Sequence, residues 1–191
     1  NLKQRRETVI EAVVTSGVNT CDSYKYPDIL GYEEIPEHWE MTKLGWILTR
    51  PPKNGLSPPL SSEETGIPTF SISAVDRGQI DVQNNLKYAE ITDDEAKQFE
   101  IEAGDVLLIR GNGNLQKVGK SGIVSSPVPE KCIYPDILMH LKFRQNIVKK
   151  YFVYLINSSA MRPQIEIGAR TSTGVWKVSQ KTVSGLVVPL P

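Results

Sequence analysis

The sequence predicts an α+β fold: a single globular domain with a mixed or antiparallel β-sheet and few helices. Three observations carry this prediction. The chain has 191 residues, which suggests one domain with a short appendage. Hydrophobic residues make up 39% of it, enough to bury a core. After the first 16 residues, short apolar runs are punctuated by glycine and proline, a pattern typical of short strands.

The N-terminal segment, Asn1 to Ser16, is predicted to be a helix, and Gly17 is a natural stop. It contains good helix formers, and its apolar residues fall at helical spacing: Leu2, Val9, Ile10, Val13 and Val14. Residues 18–35 are predicted to be an irregular linker that contains proline and tyrosine. The globular part is expected to begin at Pro36, so that residues 36–191 form the domain.

Within the domain, alternating or continuous apolar runs predict strands at Thr69 to Val75, Asp105 to Arg110, Gly122 to Ser126, Ile137 to Phe143 and Gly185 to Pro189. An acidic helix is predicted over Ile91 to Phe99, with Thr92 or Asp93 as its N-cap. A second helix is predicted over Lys149 to Arg162. Its apolar face would comprise Tyr151, Phe152, Tyr154, Leu155 and Ile156. A polar loop is expected from Gly168 to Gly174.

Composition argues against membrane and disulfide-rich classes of protein. The longest uncharged apolar runs, Val106 to Ile109 and Leu186 to Val188, are too short to span a bilayer. The N-terminus has the pattern of a polar helix and not that of a signal peptide. Two cysteines, Cys21 and Cys132, make neither a disulfide framework nor a four-thiolate zinc site. We therefore expect a cytoplasmic protein without a membrane partner.

Charge is unevenly distributed along the chain. Residues 1–104 carry 10 basic and 18 acidic side chains, a net charge of −8, whereas residues 105–191 carry 12 basic and 4 acidic ones, a net charge of +8. The formal total of zero would argue against a nucleic-acid binder, but the split allows an acidic part and a basic part. Folding could equally interleave the two signs, so charge alone leaves a polyanionic partner open.

The segment with the most suggestive chemistry is a strand followed by a glycine-rich basic loop, Asp105 to Ser121. Gly119, Lys120 and Ser121 resemble the end of a phosphate-binding P-loop, but that motif requires glycine where Asn114 stands. The residues that follow predict a strand, so the helix N-terminus that would bind phosphate is missing. We therefore do not expect nucleotide hydrolysis.

Three loops instead carry residue types suited to DNA. Arginine, asparagine and glutamine can make bidentate contacts with base edges, while lysine and hydroxyl groups suit phosphates. The alternative is that each loop is merely solvated. The candidate DNA-binding residues are Arg50, Lys53 and Asn54 in a proline-rich loop, Arg110, Asn112, Asn114, Gln116, Lys117 and Lys120 in the glycine-rich loop, and Arg170, Thr171, Ser172, Thr173, Trp176 and Lys177 near the C-terminus.

Catalytic, metal-binding and cofactor-binding residues are not predicted. The two histidines, His38 and His140, lack an obvious partner in the sequence and are assigned structural roles. No zinc-protease motif, paired-cysteine metal motif or nucleophile elbow occurs.

Several segments, in this order, resemble the specificity subunit of type I restriction–modification systems. Leu2 to Gly17 is similar to the end of that family's conserved spacer helix, and Ile35 to Gly45 to its entry into a target recognition domain. Asp105 to Gly111 together with Val118-Gly119-Lys120 resembles the central strand and loop. Thr173-Gly174, Val178-Ser179 and Leu186 to Pro191 resemble the exit. A complete subunit has two recognition domains and two long helices, whereas this chain has one domain, so we expect half of a subunit, its C-terminal half.

The resemblance implies a non-enzymatic domain that recognises one half of a bipartite target in double-stranded DNA. It also implies, as partners, the methylation subunits and the restriction subunit of the complex. Recognition domains diverge within the family, so the resemblance assigns no base-reading residue. Two other classes stay open from the sequence: a protein-interaction module that uses basic loops, and a small nucleotide-binding enzyme.

Overall fold

A computed structural model describes residues 2–18, 23–172 and 174–191, and the side chains of Leu2, Lys3 and Ser172 are not described. Its helices are α1 Leu2–Ser16, α2 Asp93–Ala96, α3 Lys149–Asn157, α4 Arg162–Gly168 and α5 Gln180–Gly185. Its strands are β1 Tyr24–Lys25, β2 Ile35–Pro36, β3 Glu40–Lys43, β4 Lys53–Asn54, β5 Ile67–Phe70, β6 Val75–Asp76, β7 Gln79–Ile80, β8 Leu86–Ala89, β9 Val106–Ile109, β10 Gly111–Asn112, β11 Ser121–Val124, β12 Leu138–Leu141, β13 Arg170–Ser172, β14 Val175–Lys177 and β15 Val187–Leu190.

A six-stranded mixed sheet forms the centre, in the order β4-β12-β9-β11-β7-β6. Its neighbours are antiparallel except for the parallel pair β11 and β7. The central strand β9 is buried along its whole length, which explains why its sequence is continuously apolar rather than alternating. Val106 and Leu108 contribute to the core on one face, and Leu107 and Ile109 to the core on the other.

The helix α3 covers the first of these faces. Phe152, Val153, Leu155 and Ile156 are buried, and this part of the core is continuous with Val14 of α1. The other face packs against Phe70, Ala74, Val82, Cys132 and Tyr134. Three smaller antiparallel sheets complete the body: β1-β2, β3-β15 and β5-β8, besides the three-stranded sheet β10-β14-β13. The central strands thereby hold the loops that follow them in fixed positions.

Helix α1 is attached to the body by polar contacts as well as by Val14. The Glu11 carboxylate accepts hydrogen bonds from the Ser159 amide at 2.8 Å and from the Ser159 hydroxyl at 2.6 Å. The Tyr151 hydroxyl donates to the Val14 carbonyl at 3.2 Å. The helix thus lies along the body rather than extending freely from it.

Two predicted elements are shorter or different in the structure. The strand predicted over Thr69 to Val75 is wrong beyond Phe70, because Ile72–Ala74 forms a 3-10 turn. Ser71 and Ser73 direct their hydroxyls to Asn85, and such local bonds compete with strand pairing. The acidic helix is reduced to α2 and a 3-10 turn at Lys97–Phe99. Its cap is Thr92, which forms a capping box with Glu95.

The C-terminal third also differs from prediction. The helix predicted to reach Arg162 ends at Asn157, and Pro163 lies at the start of a separate helix, α4, where proline is tolerated. The polar loop predicted from Gly168 is largely the antiparallel pair β13–β14. Helix α5 was not predicted; the Ser179 hydroxyl caps it by accepting from the Thr182 amide at 3.0 Å.

The predicted fold class is confirmed: the chain combines several small sheets with few helices. Strand β2 crosses the predicted boundary between the linker and the domain, and it pairs with β1 of the linker segment. Among the described residues, no helix is both long and apolar enough to cross a membrane.

Candidate nucleic-acid interface

Two of the three predicted loops are joined in one small sheet. We call residues 110–121 the glycine loop and residues 168–177 the hydroxyl loop. Strand β10 of the glycine loop pairs with β14 of the hydroxyl loop, with Gly111 opposite Lys177 and Asn112 opposite Trp176. At Gly111 a β-carbon would lie 3.0 Å from the Lys177 side chain, so glycine permits this close approach. The two loops therefore present a continuous surface.

The third predicted loop, residues 50–59, which we call the proline loop, is connected to the glycine loop through Asp136. The Ser57 hydroxyl donates to Asp136 Oδ1 at 2.9 Å and accepts from its amide at 3.0 Å. Arg110 donates to the Asp136 carbonyl at 3.3 Å, and its guanidinium lies 3.9 Å from the carboxylate. Asp136 was not predicted, because no feature of the sequence links it to either loop.

Two candidates of the proline loop, Lys53 and Asn54, are turned toward the protein. Lys53 donates to the Gln98 carbonyl at 2.8 Å and lies 4.4 Å above the Phe99 ring. Burial, together with the positive charge of Arg50, lowers the pKa of the Lys53 ammonium. The Asn54 side chain has a buried oxygen without a hydrogen-bond partner among the described residues. This strand edge thus serves mainly to build the sheet.

Side-chain amides shape the glycine loop from within. Asn112 Oδ1 accepts from the Asn114 amide at 2.9 Å, and Asn114 Oδ1 accepts from the Gln116 amide at 2.9 Å. The second bond caps the 3-10 turn Leu115–Lys117. Gln116 donates from its own side chain to Glu166 at 2.9 Å. These residues give the loop its fixed shape, a role that the sequence alone did not indicate.

The lysines of the glycine and hydroxyl loops differ in availability. Lys120 turns inward and donates to the Asn157 carbonyl at 2.8 Å; burial and the nearby Arg162 charge lower the pKa of its ammonium. Lys117 and Lys177 are exposed. Gly119, Lys120 and Ser121 lead into the strand β11 and not into a helix, which agrees with the prediction that this segment is not a P-loop.

The hydroxyl loop contributes exposed polar groups. Arg170 is exposed, but its guanidinium donates back to the Ile167 carbonyl at 2.8 Å. Thr171 is exposed and Trp176 is half-buried. Of the other two candidates, Ser172 is described by its backbone alone, and Thr173 lies outside the described residues.

Arg162 supports the glycine loop through hydrogen bonds to its backbone, and the sequence did not predict this residue as part of the site. Its guanidinium donates to the Val118 carbonyl at 2.7 Å and to the Leu115 carbonyl at 3.0 Å, and only 12% of the side chain is exposed. It also lies 3.5 Å from Glu166, the partner of Gln116. The sequence shows an arginine before a proline and nothing about the distant loop that it holds.

A buried polar chain lies behind the proline loop. Arg50 donates to His140 Nδ1 at 3.0 Å, so the neutral ring carries its proton on Nε2, which lies 3.2 Å from Asp105 Oδ1. Burial by itself would raise the pKa of the Asp105 carboxyl. The interactions of the carboxylate with His140, with the Glu102 amide and with the Lys149 charge lower the pKa by more than burial raises it, so the pKa of Asp105 lies below its usual value. The structural role predicted for His140 thus involves two charged partners.

We expect Asp105→Asn to flatten the acid side of the stability–pH profile. The depressed folded-state pKa of Asp105 contributes stability above its unfolded value, about 3.9, that is lost as the pH falls through the folded value. At pH 7 the variant should lose about 1–2 kcal/mol of unfolding free energy because a charged partner of His140 is removed. Urea titrations between pH 2.5 and 7 measure both effects. Parallel profiles for the variant and the wild type would contradict this assignment.

The described part of the chain contains no cluster of three histidine, cysteine, aspartate or glutamate side chains that could hold a metal ion. The free thiol of Cys132 is buried, and burial raises its pKa to about 12, which disfavours a nucleophilic thiolate. The glycine and hydroxyl loops present exposed basic and polar side chains, among them Lys117, Thr171 and Lys177.

Comparisons with known proteins show which proteins this chain is similar to. No protein-family model matches the chain. The specificity subunit of the EcoKI type I restriction enzyme of Escherichia coli K12 is 30% identical over 158 residues, which is 82% of this chain and 34% of that protein. The chain therefore spans about a third of the length of this curated relative.

Solved structures share the fold. The HsdS subunit from Thermoanaerobacter tengcongensis matches all of this chain and 40% of its own, with a TM-score of 0.58 and 15% identity. A chain from a structural study of assembly and conformational transition in the type I R-M system matches all of this chain and 42% of its own, with a TM-score of 0.59 and 17% identity. The resemblance stated from the sequence is confirmed.

Proposed function

Because the chain is a homologue of a type I restriction enzyme specificity subunit, we propose that it is a target recognition domain that recognises one half of a bipartite site in double-stranded DNA. The observation that carries this proposal is the pairing of β10 with β14, which combines the glycine and hydroxyl loops into one exposed surface. Either loop alone could equally be a polar, solvent-exposed loop with no role in DNA binding.

Lys117 and Lys177 are the proposed phosphate contacts, because both are exposed and belong to the paired loops. Asn112 and Asn114 are proposed to face base edges. Their amide oxygens are used within the loop, whereas their amide nitrogens donate to no other described residue. A free amide donor suits the N7, O6 and O4 acceptors of the major groove.

The larger assembly is part of the same proposal. We take residues 1–17 as the end of a spacer helix, 18–35 as a linker and 36–191 as the recognition domain. The methylation subunits and the restriction subunit of a type I complex would be its protein partners, and the chemistry of the complex would reside in them rather than in this chain. The expected location is the cytoplasm.

DNA binding by the full 191-residue chain tests the proposal. Fluorescence anisotropy with duplex DNA should show an affinity that falls steeply between 50 and 200 mM salt. Lys117→Ala should weaken binding about eightfold at 0.1 M salt and reduce the salt slope by about 0.9, the value of one phosphate contact. Arg110→Ala should also weaken binding, because Arg110 anchors the start of the loop on Asp136.

The control is Lys97→Ala, which removes an exposed lysine from the 3-10 turn after α2. Unchanged affinity and slope in both loop variants would refute the assigned surface. Polyglutamate serves as a second ligand, since equal binding to duplex DNA and polyglutamate would favour a module that engages acidic proteins. A thermal shift with nucleotides would indicate the nucleotide-binding alternative.

A further inference from the structure

A groove runs between helix α1 and the body, beside the glycine loop. Its volume is about 1190 Å³. One wall is the middle of α1, where Arg6 and Ile10 line the groove, and the other includes the tip of the β6–β7 hairpin at Arg77. Lys117 of the glycine loop lies on the lining as well, so the groove is continuous with the proposed DNA surface. We call it the α1 groove.

Positive charge predominates in the α1 groove. Its five basic residues are Arg6, Arg77, Lys117, Lys120 and Arg162, and its three acidic residues are Glu7, Glu11 and Asp76. Some of these groups already have partners on both sides of the balance: Lys120 and Arg162 donate to backbone carbonyls, Glu11 accepts from Ser159, and Asp76 lies 3.5 Å from the Arg77 guanidinium. The five basic residues still outnumber the three acidic ones by two. The balance favours an anionic occupant over a cationic one.

Arg77 occupies an unusual backbone position for its type. Strands β6 and β7 are joined by the two-residue turn Arg77-Gly78, with φ values of 45° and 81°. Such turns favour asparagine, aspartate or glycine at the first position, so an arginine there carries a conformational cost. Residues kept in the left-handed region against this cost cluster at functional sites. The Arg77 side chain is 67% exposed, and its ion pair with Asp76 is exposed as well, so the guanidinium can also contact a ligand.

We propose that the α1 groove holds the sugar–phosphate backbone of DNA adjacent to the bases read by the paired loops. Arg77 from the hairpin and Arg6 from α1 would contact phosphates from opposite walls, and Lys117 would continue the same path. The apolar lining, which includes Ile10, Ile72 and Tyr154, suits the sugar edges between phosphates. This inference rests on the proposed function and extends it to residues of the acidic half of the chain.

The test compares Arg77→Asn and Arg6→Ala with Arg5→Ala in the full chain, by anisotropy with duplex DNA between 50 and 200 mM salt. Asparagine tolerates the left-handed conformation, so Arg77→Asn removes the charge and preserves the turn. Arg5 is the matched control, because it is an exposed arginine on the same helix that does not line the groove.

Each groove variant should weaken binding about five- to tenfold at 0.1 M salt and lower the salt slope by about 0.9, while Arg5→Ala should match the wild type. Wild-type behaviour of both groove variants, with Lys117→Ala still weakened, would overturn the groove and leave the proposed function intact. Equal losses in Arg5→Ala and Arg6→Ala would also overturn it, since the effect would then be general charge. Absence of salt-dependent DNA binding by the wild type would overturn both proposals.

Discussion

Lys117→Glu combined with Lys177→Glu is expected to reduce DNA affinity at least about a hundredfold at 0.1 M salt. The two lysines lie on the paired glycine and hydroxyl loops, and both are exposed. Losing two phosphate contacts accounts for about 1.8 decades at this salt concentration. The two new carboxylates add repulsion from the phosphates, which increases the loss further. Anisotropy with duplex DNA measures the change.

The matched control is Lys97→Glu combined with Lys142→Glu, which changes the net charge equally at exposed positions outside the three loops. The loop variant should unfold at nearly the wild-type temperature, because exposed lysines contribute little to stability. Equal loss of affinity in the two double variants would show that the net charge of the protein, and not the position of the two lysines, determines the affinity. Retained affinity in the loop variant would exclude the paired loops as the interface.

The central strands and the loops between them could be predicted from local sequence, because both depend on neighbouring residues. The apolar run at Asp105 to Arg110 indicated the strand β9, and the cap predicted at Thr92 or Asp93 indicated the start of α2. Helix ends were less predictable. Lys149 to Arg162 was predicted as one helix, but the helix ends at Asn157, where Ser158 is extended, and Pro163 lies at the start of a new helix.

The site could be predicted only as a set of separate loops. The pairing of Asn112 with Trp176 and the bonds from Arg162 to the glycine loop join residues far apart in the chain, which no local pattern encodes. The sequence also does not show where the acidic and basic halves of the chain lie relative to each other in space. Arg6 and Arg77 belong to the acidic half of the sequence, yet they line the α1 groove together with Lys117 of the basic half. The two halves are therefore interleaved in space at this groove.

Arg162→Ala is expected to lower the unfolding free energy by about 2–3 kcal/mol and to weaken DNA binding. The substitution removes the donors to the Val118 and Leu115 carbonyls, at 2.7 and 3.0 Å, in a nearly buried setting. Hydrogen bonds from charged donors contribute about 1.5–3 kcal/mol each, and part of this loss is regained by hydration of the freed carbonyls. The affinity should fall because the turn that carries Lys117 loses its support.

Urea denaturation and anisotropy on the same samples separate the two effects of this substitution. Arg162→Lys should retain one of the two carbonyl bonds and give intermediate stability and affinity, since an ammonium lacks the planar fork of the guanidinium. The control is Arg144→Ala, which removes an exposed arginine bonded to a single backbone carbonyl, that of Trp46 at 3.0 Å. It should cost about 1 kcal/mol or less and leave DNA binding unchanged. If Arg162→Ala were destabilised but bound DNA like the wild type, the glycine loop would not need the support of Arg162 for binding, and the role proposed here for Arg162 would fail.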